Sequence, residues 1–392
     1  MTLTQRKENI LKEKMQIYDL FISAFEDSAD IHGKNLILEL LKKNPNLKIL
    51  AIAGPKMRET NIDVFMNMEN FQVMGFVDII YALPKLIKNF FSIRKKILKI
   101  NPKASIFIDY PDFNLRLEKS LRKKGYKNSL IHYISPTIWA WRKKRADFMA
   151  KYLDLLITIF PFEKKYFSHT SLDVEYIGHP LISIVDNINK DKCKNNDIQK
   201  DLIGIFPGSR IKEIERNLPL QLKAAKKLLK DNKNFKFAIS STNDVLIKEI
   251  FENENLDRKN FQIFSRDQNY SFMKKMKLAM ATSGTINLEL ALLKVPTAIN
   301  FAIKPVDLFI ARNLLKINLK HYCIVNIILN KRVFPELYGP NLSVNSLYES
   351  LSTLLDESSK RNIKASLDEL KLILDTKKNP SAMAANLIFN YL

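Results

Sequence analysis

The 392-residue chain is 46% hydrophobic and carries 63 Lys+Arg against 41 Asp+Glu, a formal charge of +22. The length exceeds what one core usually serves and the apolar content excludes a disordered chain, so two domains are expected; the charge points to polyanionic partners, whether nucleic acid, phosphorylated substrate or anionic membrane. Two cysteines, Cys193 and Cys323, without C-x-x-C spacing leave no disulfide framework or cysteine zinc site and suit a reducing, cytoplasmic setting.

Met1–Met15 places Arg6, Lys7, Glu8, Lys12, Glu13 and Lys14 among its apolar positions, and reads as an amphipathic helix rather than a signal peptide. No run of about 18 apolar residues is free of charge, so any membrane contact is expected to be peripheral. Short apolar runs then alternate with longer amphipathic stretches, which predicts an α/β fold of parallel sheets flanked by helices. The first series of strands is Ile17–Ala24, Lys48–Ala53, Ala104–Asp109, Ser129–Ile134 and Leu153–Ile159. The second is Leu202–Phe206, Phe235–Ile239, Phe261–Phe264, Leu278–Ala281 and Val295–Phe301. The lysine-rich Asp186–Asp201 between them is the expected linker, which gives domains 1–185 and 186–392, each doubly wound and facing a cleft. The tail from about Ser343 reads as helical, with Pro380 opening a final segment that could pack back on the first domain.

After the first strand, Phe25-Glu26-Asp27-Ser28-Ala29-Asp30 brings carboxylates to a strand end. Glu26 is a candidate for handling a substrate hydroxyl, the alternative being N-terminal capping of the next helix. From Phe76 to Leu98, Phe76, Ile79, Ile80, Leu83, Leu86, Ile87 and Phe90 recur at helical spacing among lysines, with Pro84 as the expected helix start. Such a basic amphipathic helix lies in a lipid interface or covers its own sheet. Asp109 ends an apolar strand, with Pro111 stiffening the exit, where a carboxylate could act as general base; Asp112 suits the cap of the following helix. The Asp-x-x-Asp spacing has no accompanying histidine or carboxylate cluster, so no metal is expected. Trp139, Trp141 and Arg142 sit beside Lys143, Lys144 and Arg145; core packing with a phosphate-facing basic helix start is preferred there to a nucleic-acid groove.

In the second half, Gly208-Ser209-Arg210 follows one strand and precedes a helix, which would aim free backbone N–H groups and an arginine fork at a phosphate; an ordinary turn is the alternative. Ser283-Gly284-Thr285 follows another strand and places Glu289 one helical turn on, either to hold ribose hydroxyls or to favour the positive helix end.

The ordered motifs Met74-Gly75-Phe76-Val77-Asp78, Asp109-x-Pro111-Asp112-Phe113-Asn114, His132-Tyr133-x-Ser135-Pro136-x-x-Trp139-Ala140-Trp141-Arg142, Gly178-His179-Pro180 and Pro207-Gly208-Ser209-Arg210, then Ser283-Gly284-Thr285 with Glu289, Lys304-Pro305 and Val325-Asn326, resemble the lipid-A-disaccharide synthases. The resemblance implies a GT-B fold that uses neither metal nor cofactor. It implies transfer of 2,3-diacylglucosamine from UDP to 2,3-diacylglucosamine 1-phosphate, giving a β-1,6-linked disaccharide and UDP. Asp109 then resembles the family's catalytic carboxylate, and Arg210, Glu289 and Asn326 its donor-nucleotide contacts. The segment after Gly75 resembles its membrane-associating region, which implies peripheral attachment to the anionic cytoplasmic face of the inner membrane and no nucleic-acid partner. One departure stands out: the family usually has glycines where this chain has Phe25 and Ala29, so the acceptor side is expected to be bulkier and its backbone more restricted.

Overall fold

The computed structural model describes residues 17–71, 76–139, 144–190, 201–265, 268–309, 313 and 319–392, with only the backbone of 76–82, 187, 189, 190 and 269. The expected helix at Met1–Met15, Met74-Gly75, Trp141-Arg142, most of the expected linker and Cys193 lie outside the described residues, as do the side chains of Phe76, Ile79 and Ile80.

Two compact units are present: Met1–Pro180 with Thr376–Leu392, and Leu181–Asp375. In the first, β1 (Leu20–Ser23), β2 (Ile49–Ala53), β3 (Asp63–Asn67), β4 (Ala104–Ile108), β5 (Ser129–Tyr133), β6 (Leu155–Thr158) and β7 (Asp173–Tyr176) form one sheet ordered β3-β2-β1-β4-β5-β6-β7. Every pairing in it is parallel. β1, β2 and β4 are buried along their whole length, because helices cover both faces of a parallel sheet and its strands can then be apolar at successive positions. On one face Leu36, Ile37 and Leu40 of the Asp27–Lys43 helix meet Ala384, Ala385 and Ile388 of the Pro380–Phe389 helix. Asn379 caps that last helix by accepting from the N–H groups of Ser381 (2.9 Å) and Ala382 (3.2 Å). The Tyr391 hydroxyl donates to Asp173 at 2.6 Å and fixes the chain end to β7.

The second unit repeats the topology. β8 (Leu202–Phe206), β9 (Lys236–Ser241), β10 (Phe261–Ser265), β11 (Leu278–Thr282), β12 (Thr297–Phe301) and β13 (Glu336–Tyr338) are ordered β10-β9-β8-β11-β12-β13, all parallel. In both sheets the order reverses beside the first strand, so each unit is Rossmann-like with a switch point at the carboxyl ends of its central strands. The basic amphipathic helix expected over Phe76–Leu98 runs Phe76–Ile100 and contains Pro84 in its interior, not at its start. The apolar periodicity that precedes Pro84 continues the helix upstream, and the proline removes one i→i−4 bond. Among the described residues no helix is long and apolar enough to cross a membrane.

Candidate functional site

At the carboxyl end of β4 the backbone is forced out of the common regions. Asp109 and Tyr110 both have φ of 50°, and Ile134, just past β5, has φ of 74°. Each left-handed non-glycine residue costs about 1–3 kcal/mol and persists only where its surroundings over-determine it. Here the Asp109 N–H donates to the Tyr133 carbonyl at 2.8 Å, and the buried Asn114 amide donates to the Asp109 carbonyl at 2.6 Å. Tyr110, with no side-chain cap, occupies the N-cap position of the Pro111–Lys123 helix. Asp112 therefore does not cap it as expected. The Asp112 carboxylate lies in the first turn and pairs with Arg145.

Asp109 and Glu26 line one cavity of about 790 Å³ within the first unit, together with Leu83, Leu86, Ile87 and Phe90. Two sets of residues that sequence alone treats separately, the candidate acids and the apolar helical stripe, thus share walls. The Phe76–Ile100 helix divides its apolar positions: Ile93 and Ile97 are fully buried, whereas Leu83, Ile87 and Phe91 are 51%, 48% and 50% exposed and lie one turn apart along one face. Glu26 is the N-cap residue of the Asp27–Lys43 helix but makes no side-chain cap bond. Asp30, four residues on, accepts from the N–H groups of Gly54 (2.9 Å), Lys56 (2.7 Å) and Met57 (3.0 Å), a structural use of a buried carboxylate. A Cβ on Gly54 would sit 2.4 Å from that carboxylate, which is why glycine stands there. Phe25, the bulky departure, is 2% exposed and packs on Phe71, Tyr110 and Phe113 with ring centroids at 4.6, 5.3 and 5.0 Å. Its volume goes into the aromatic core behind the cavity wall.

Burial pushes the Asp109 carboxyl up from the usual range, and the nearby His132 opposes that shift. Glu163, buried beyond β6, is pushed up to about 8 by desolvation, although it accepts a bond from the Phe160 N–H at 3.2 Å. Burial pulls His32 down to about 4 and His179 to about 3, so both imidazoles are neutral near pH 7. Sequence reasoning missed Asn114 and Glu163 as site residues. Asn114 is marked only as the last position of the Asp109–Asn114 motif, not by its bond to the Asp109 carbonyl, and nothing local marks Glu163.

In the second unit a cavity of about 320 Å³ brings Arg210, Glu213 and Ser283 together with Cys323, Glu336 and Tyr338. Gly208 has φ of +113°, and a Cβ there would meet Glu213 at 2.7 Å. The loop does not present free N–H groups as expected. Ser209 and Arg210 donate theirs to Glu213 Oε2 at 3.1 and 3.3 Å, and the Arg210 guanidinium donates to Glu213 Oε1 at 2.8 Å. Glu213, three residues past the N-cap Arg210, accepts the N-cap backbone N–H at the start of the Ile211–Asp231 helix; arginine carries no acceptor, so only the glutamate half of a capping box is formed. Arg210 itself is 82% exposed at its side chain.

Gly284 and Thr285 are exposed at the entry to the Ile286–Leu292 helix, with Glu289 half-buried in its first turn. Asn326 is placed differently from the expected nucleotide contact. It is fully buried; its Nδ2 donates to the Phe334 carbonyl (2.9 Å) and Glu336 Oε1 (2.8 Å), and its Oδ1 accepts from Val333 (2.8 Å) and Phe334 (3.0 Å). With its amide spent internally, Asn326 braces the turn that presents Glu336, which also accepts from the Cys323 N–H at 2.8 Å. A second buried network, unmarked in sequence, runs from Gln221 to Asn300 (2.9 Å) and from Asn300 to Asn217 (3.0 Å), tying the Ile211–Asp231 helix to β12. Among the described residues no group of three or more His, Cys, Asp or Glu could hold a metal ion.

Residues 20–389 match the family model for lipid-A-disaccharide synthetase. The chain belongs to that family. It is 38% identical to the lipid-A-disaccharide synthase of Chlamydia pneumoniae over 343 residues, 86% of this chain and 56% of that protein. It is 30% identical to that of Geobacter sulfurreducens over 345 residues, 86% of this chain and 88% of that protein. The chain thus spans a little over half the length of the chlamydial relatives it matches. Among solved structures, the UDP-GlcNAc 2-epimerase from Neisseria meningitidis bound to UDP-GlcNAc aligns with a TM-score of 0.62 at 12% identity, covering 95% of this chain and 98% of that one. Acinetobacter baumannii MurG aligns with a TM-score of 0.55 at 12% identity, covering 96% and 100%. The likeness establishes the fold as GT-B, with two Rossmann-like domains.

Proposed function

We propose that the chain is an inverting glycosyltransferase that moves 2,3-diacylglucosamine from UDP to 2,3-diacylglucosamine 1-phosphate, forming the β-1,6-linked lipid A disaccharide 1-phosphate and UDP. The single observation that carries the reading beyond family membership is the cavity where Asp109 and Glu26 meet Leu83, Leu86, Ile87 and Phe90. A sugar hydroxyl beside carboxylates and acyl chains beside an apolar stripe is the chemistry of an acylated acceptor.

In this reading the first unit, including Phe76, Ile79 and Ile80, binds the acceptor and rests on the anionic cytoplasmic face of the inner membrane. Leu83, Ile87 and Phe91 supply the exposed apolar face, and lysines nearby add about 1 kcal/mol each at an anionic surface. Asp109 takes the proton from the attacking hydroxyl as the oxygen reaches the anomeric carbon, and UDP departs from the opposite face. Glu26 orients the acceptor. In the second unit Gly208, Ser209, Arg210, Ser283, Gly284, Thr285 and Glu289 hold the nucleotide sugar, while Asn326 acts through the turn it braces. Nucleotide binding would shift Glu213 from its capping bonds, freeing the N–H groups of Ser209 and Arg210 for phosphate.

The test is product identification after incubating the chain with UDP-2,3-diacylglucosamine and the monosaccharide 1-phosphate in detergent, with chelator present. A β-1,6 disaccharide 1-phosphate formed with one UDP per linkage is expected. A product built on a different acceptor, or none from folded protein that binds UDP, removes the reading.

A further inference from the structure

The cavity that holds Asp109 and Glu26 has a charged lining residue for which the proposed reaction has so far found no use. Among its described lining residues Arg116 is the only cation, against the carboxyl groups of Glu26, Asp109 and Asp112. Arg116 stands on the Pro111–Lys123 helix, five residues and about 7.5 Å past Pro111, and contacts on either side fix the face it occupies. Three residues earlier Phe113 packs edge-on against Phe90 with ring centroids 5.6 Å apart, and four residues later Ser120 accepts a hydrogen bond from the Arg94 guanidinium at 2.9 Å. Positions 113, 116 and 120 share one helical face. Arg116 is therefore turned towards the Phe76–Ile100 helix between those two contacts, beside the exposed stripe of Leu83, Ile87 and Phe91. The other described arginines of the first unit are committed: Arg58 to Glu69, Arg94 to Ser120 and the Phe91 ring, Arg122 to Asp154, and Arg145 to Asp112. Arg116 is exposed, and among the described residues no hydrogen bond or ion pair takes up its guanidinium. Its five N–H donors are unspent on a wall that is otherwise acidic and apolar.

We propose that Arg116 binds the phosphate monoester of the acylated sugar acceptor, and so selects the phosphorylated acceptor over the unphosphorylated one; the assignment rests on the reading of this cavity as the acceptor site. A phosphate monoester carries about −1.5 to −2 charges near pH 7. Carboxylates on the wall repel such a group, and a cation on the same wall is what admits it. The planar arginine fork can meet two phosphate oxygens at once, which a lysine cannot do. The acceptor presents its reacting hydroxyl at one end of a hexose and its phosphate at the other. Helical side chains lean towards the N-terminus, so the Arg116 guanidinium reaches back towards the Asp109 turn across a rise of about 7.5 Å, on the order of the span of one phosphorylated sugar. Acyl chains laid along Leu83, Ile87 and Phe91 then share one groove with the anionic end of the same molecule. A phospholipid headgroup offers the same chemistry, phosphate beside acyl chains, and the test separates the two sources.

The experiment is calorimetric titration of the full chain in non-ionic detergent with 2,3-diacylglucosamine 1-phosphate and with the same lipid lacking the phosphate, for wild type, Arg116→Gln, Arg116→Lys and Lys119→Gln. Disaccharide formation from UDP-2,3-diacylglucosamine and flotation with phosphatidylglycerol vesicles are measured on the same samples. Arg116→Gln should weaken binding of the phosphorylated lipid about 10- to 100-fold, the size of a charge-assisted contact, and raise KM for it with little change in kcat. Affinity for the unphosphorylated lipid and flotation should stay at the wild-type level. Arg116→Lys should fall between, since it keeps the charge and loses the fork. Lys119, whose ammonium lies over the Phe148 ring at 5.5 Å and outside the cavity lining, is the control, and its loss should affect neither lipid. Wild-type affinity of Arg116→Gln for the phosphorylated lipid, equal losses for both lipids, or the same loss in Lys119→Gln overturns the proposal. A loss confined to flotation assigns Arg116 to a phospholipid headgroup and overturns it as well. Arg116-dependent binding of the phosphorylated lipid without disaccharide formation would instead overturn the acceptor reading and leave the phosphate site in place.

Discussion

Replacing Asn326 by leucine separates a structural brace from a ligand contact. The side chain is fully buried and makes four internal bonds, to the N–H groups of Val333 and Phe334, the Phe334 carbonyl and Glu336. Leucine fits the volume but orphans three backbone groups, at about 1–1.5 kcal/mol each, so the variant should lose roughly 3–5 kcal/mol. For a unit of this size that lowers Tm by roughly 6–20 °C. The assay is thermal unfolding together with amide hydrogen exchange at Val333 and Phe334, and UDP affinity measured at 15 °C, below either transition. The structure predicts a large fall in Tm, fast exchange at both amides and less than about a tenfold loss in UDP affinity, the last because Asn326 acts only through the turn carrying Glu336. An unchanged Tm with a hundredfold loss of affinity would refute this reasoning and restore Asn326 as a direct nucleotide contact.

Three further outcomes follow from the same geometry. Gly208→Ala should weaken UDP binding and destabilise the second unit by about 1–3 kcal/mol, because φ is +113° and the new Cβ meets Glu213; a wild-type melting curve and affinity would count against it. Glu163 titrates near 8 in the fold against an ordinary value of 4.5, so the folded state binds the extra proton and stability falls as pH rises across that interval. Glu163→Gln should therefore gain on wild type in Tm between pH 5 and pH 8, and a pH-independent difference would contradict the assignment. Exchanging Leu83, Ile87 and Phe91 for serine removes an exposed stripe worth about 1–2 kcal/mol per side chain when buried in lipid. Flotation with anionic vesicles should drop at least tenfold, while undiminished flotation would show that the membrane contact lies elsewhere.

Fold class was legible because the central strands of a doubly wound sheet are buried on both faces and appear as apolar runs. β1, β2, β4, β8 and β11 are of this kind. β3, β7 and β13 were not read. All three are sheet edges, β3 largely exposed and β7 and β13 partly buried, and their sequences carry charges such as Asp63, Asp173 and Glu336. The strand-end position of Asp109 and the glycine turn at Gly208 were legible for the same reason: apolar runs end where ligands are bound. What surrounds them was not. Whether Glu213 caps its own helix, or Phe25 fills a core instead of a cavity, depends on which neighbours the fold supplies. Pro84 misled because proline at a helix start and proline within a helix look alike when the periodicity on both sides is helical.

The central claim is that Asp109 deprotonates an acylated sugar acceptor, and the most direct measurement is acceptor-dependent UDP release in wild type and Asp109→Asn, with UDP affinity determined on the same samples. The account predicts that release requires the acceptor, persists in chelator, and falls by about 100-fold or more in the variant, while UDP affinity stays at the wild-type level. Wild-type release from Asp109→Asn, or release indifferent to the acceptor, would contradict it.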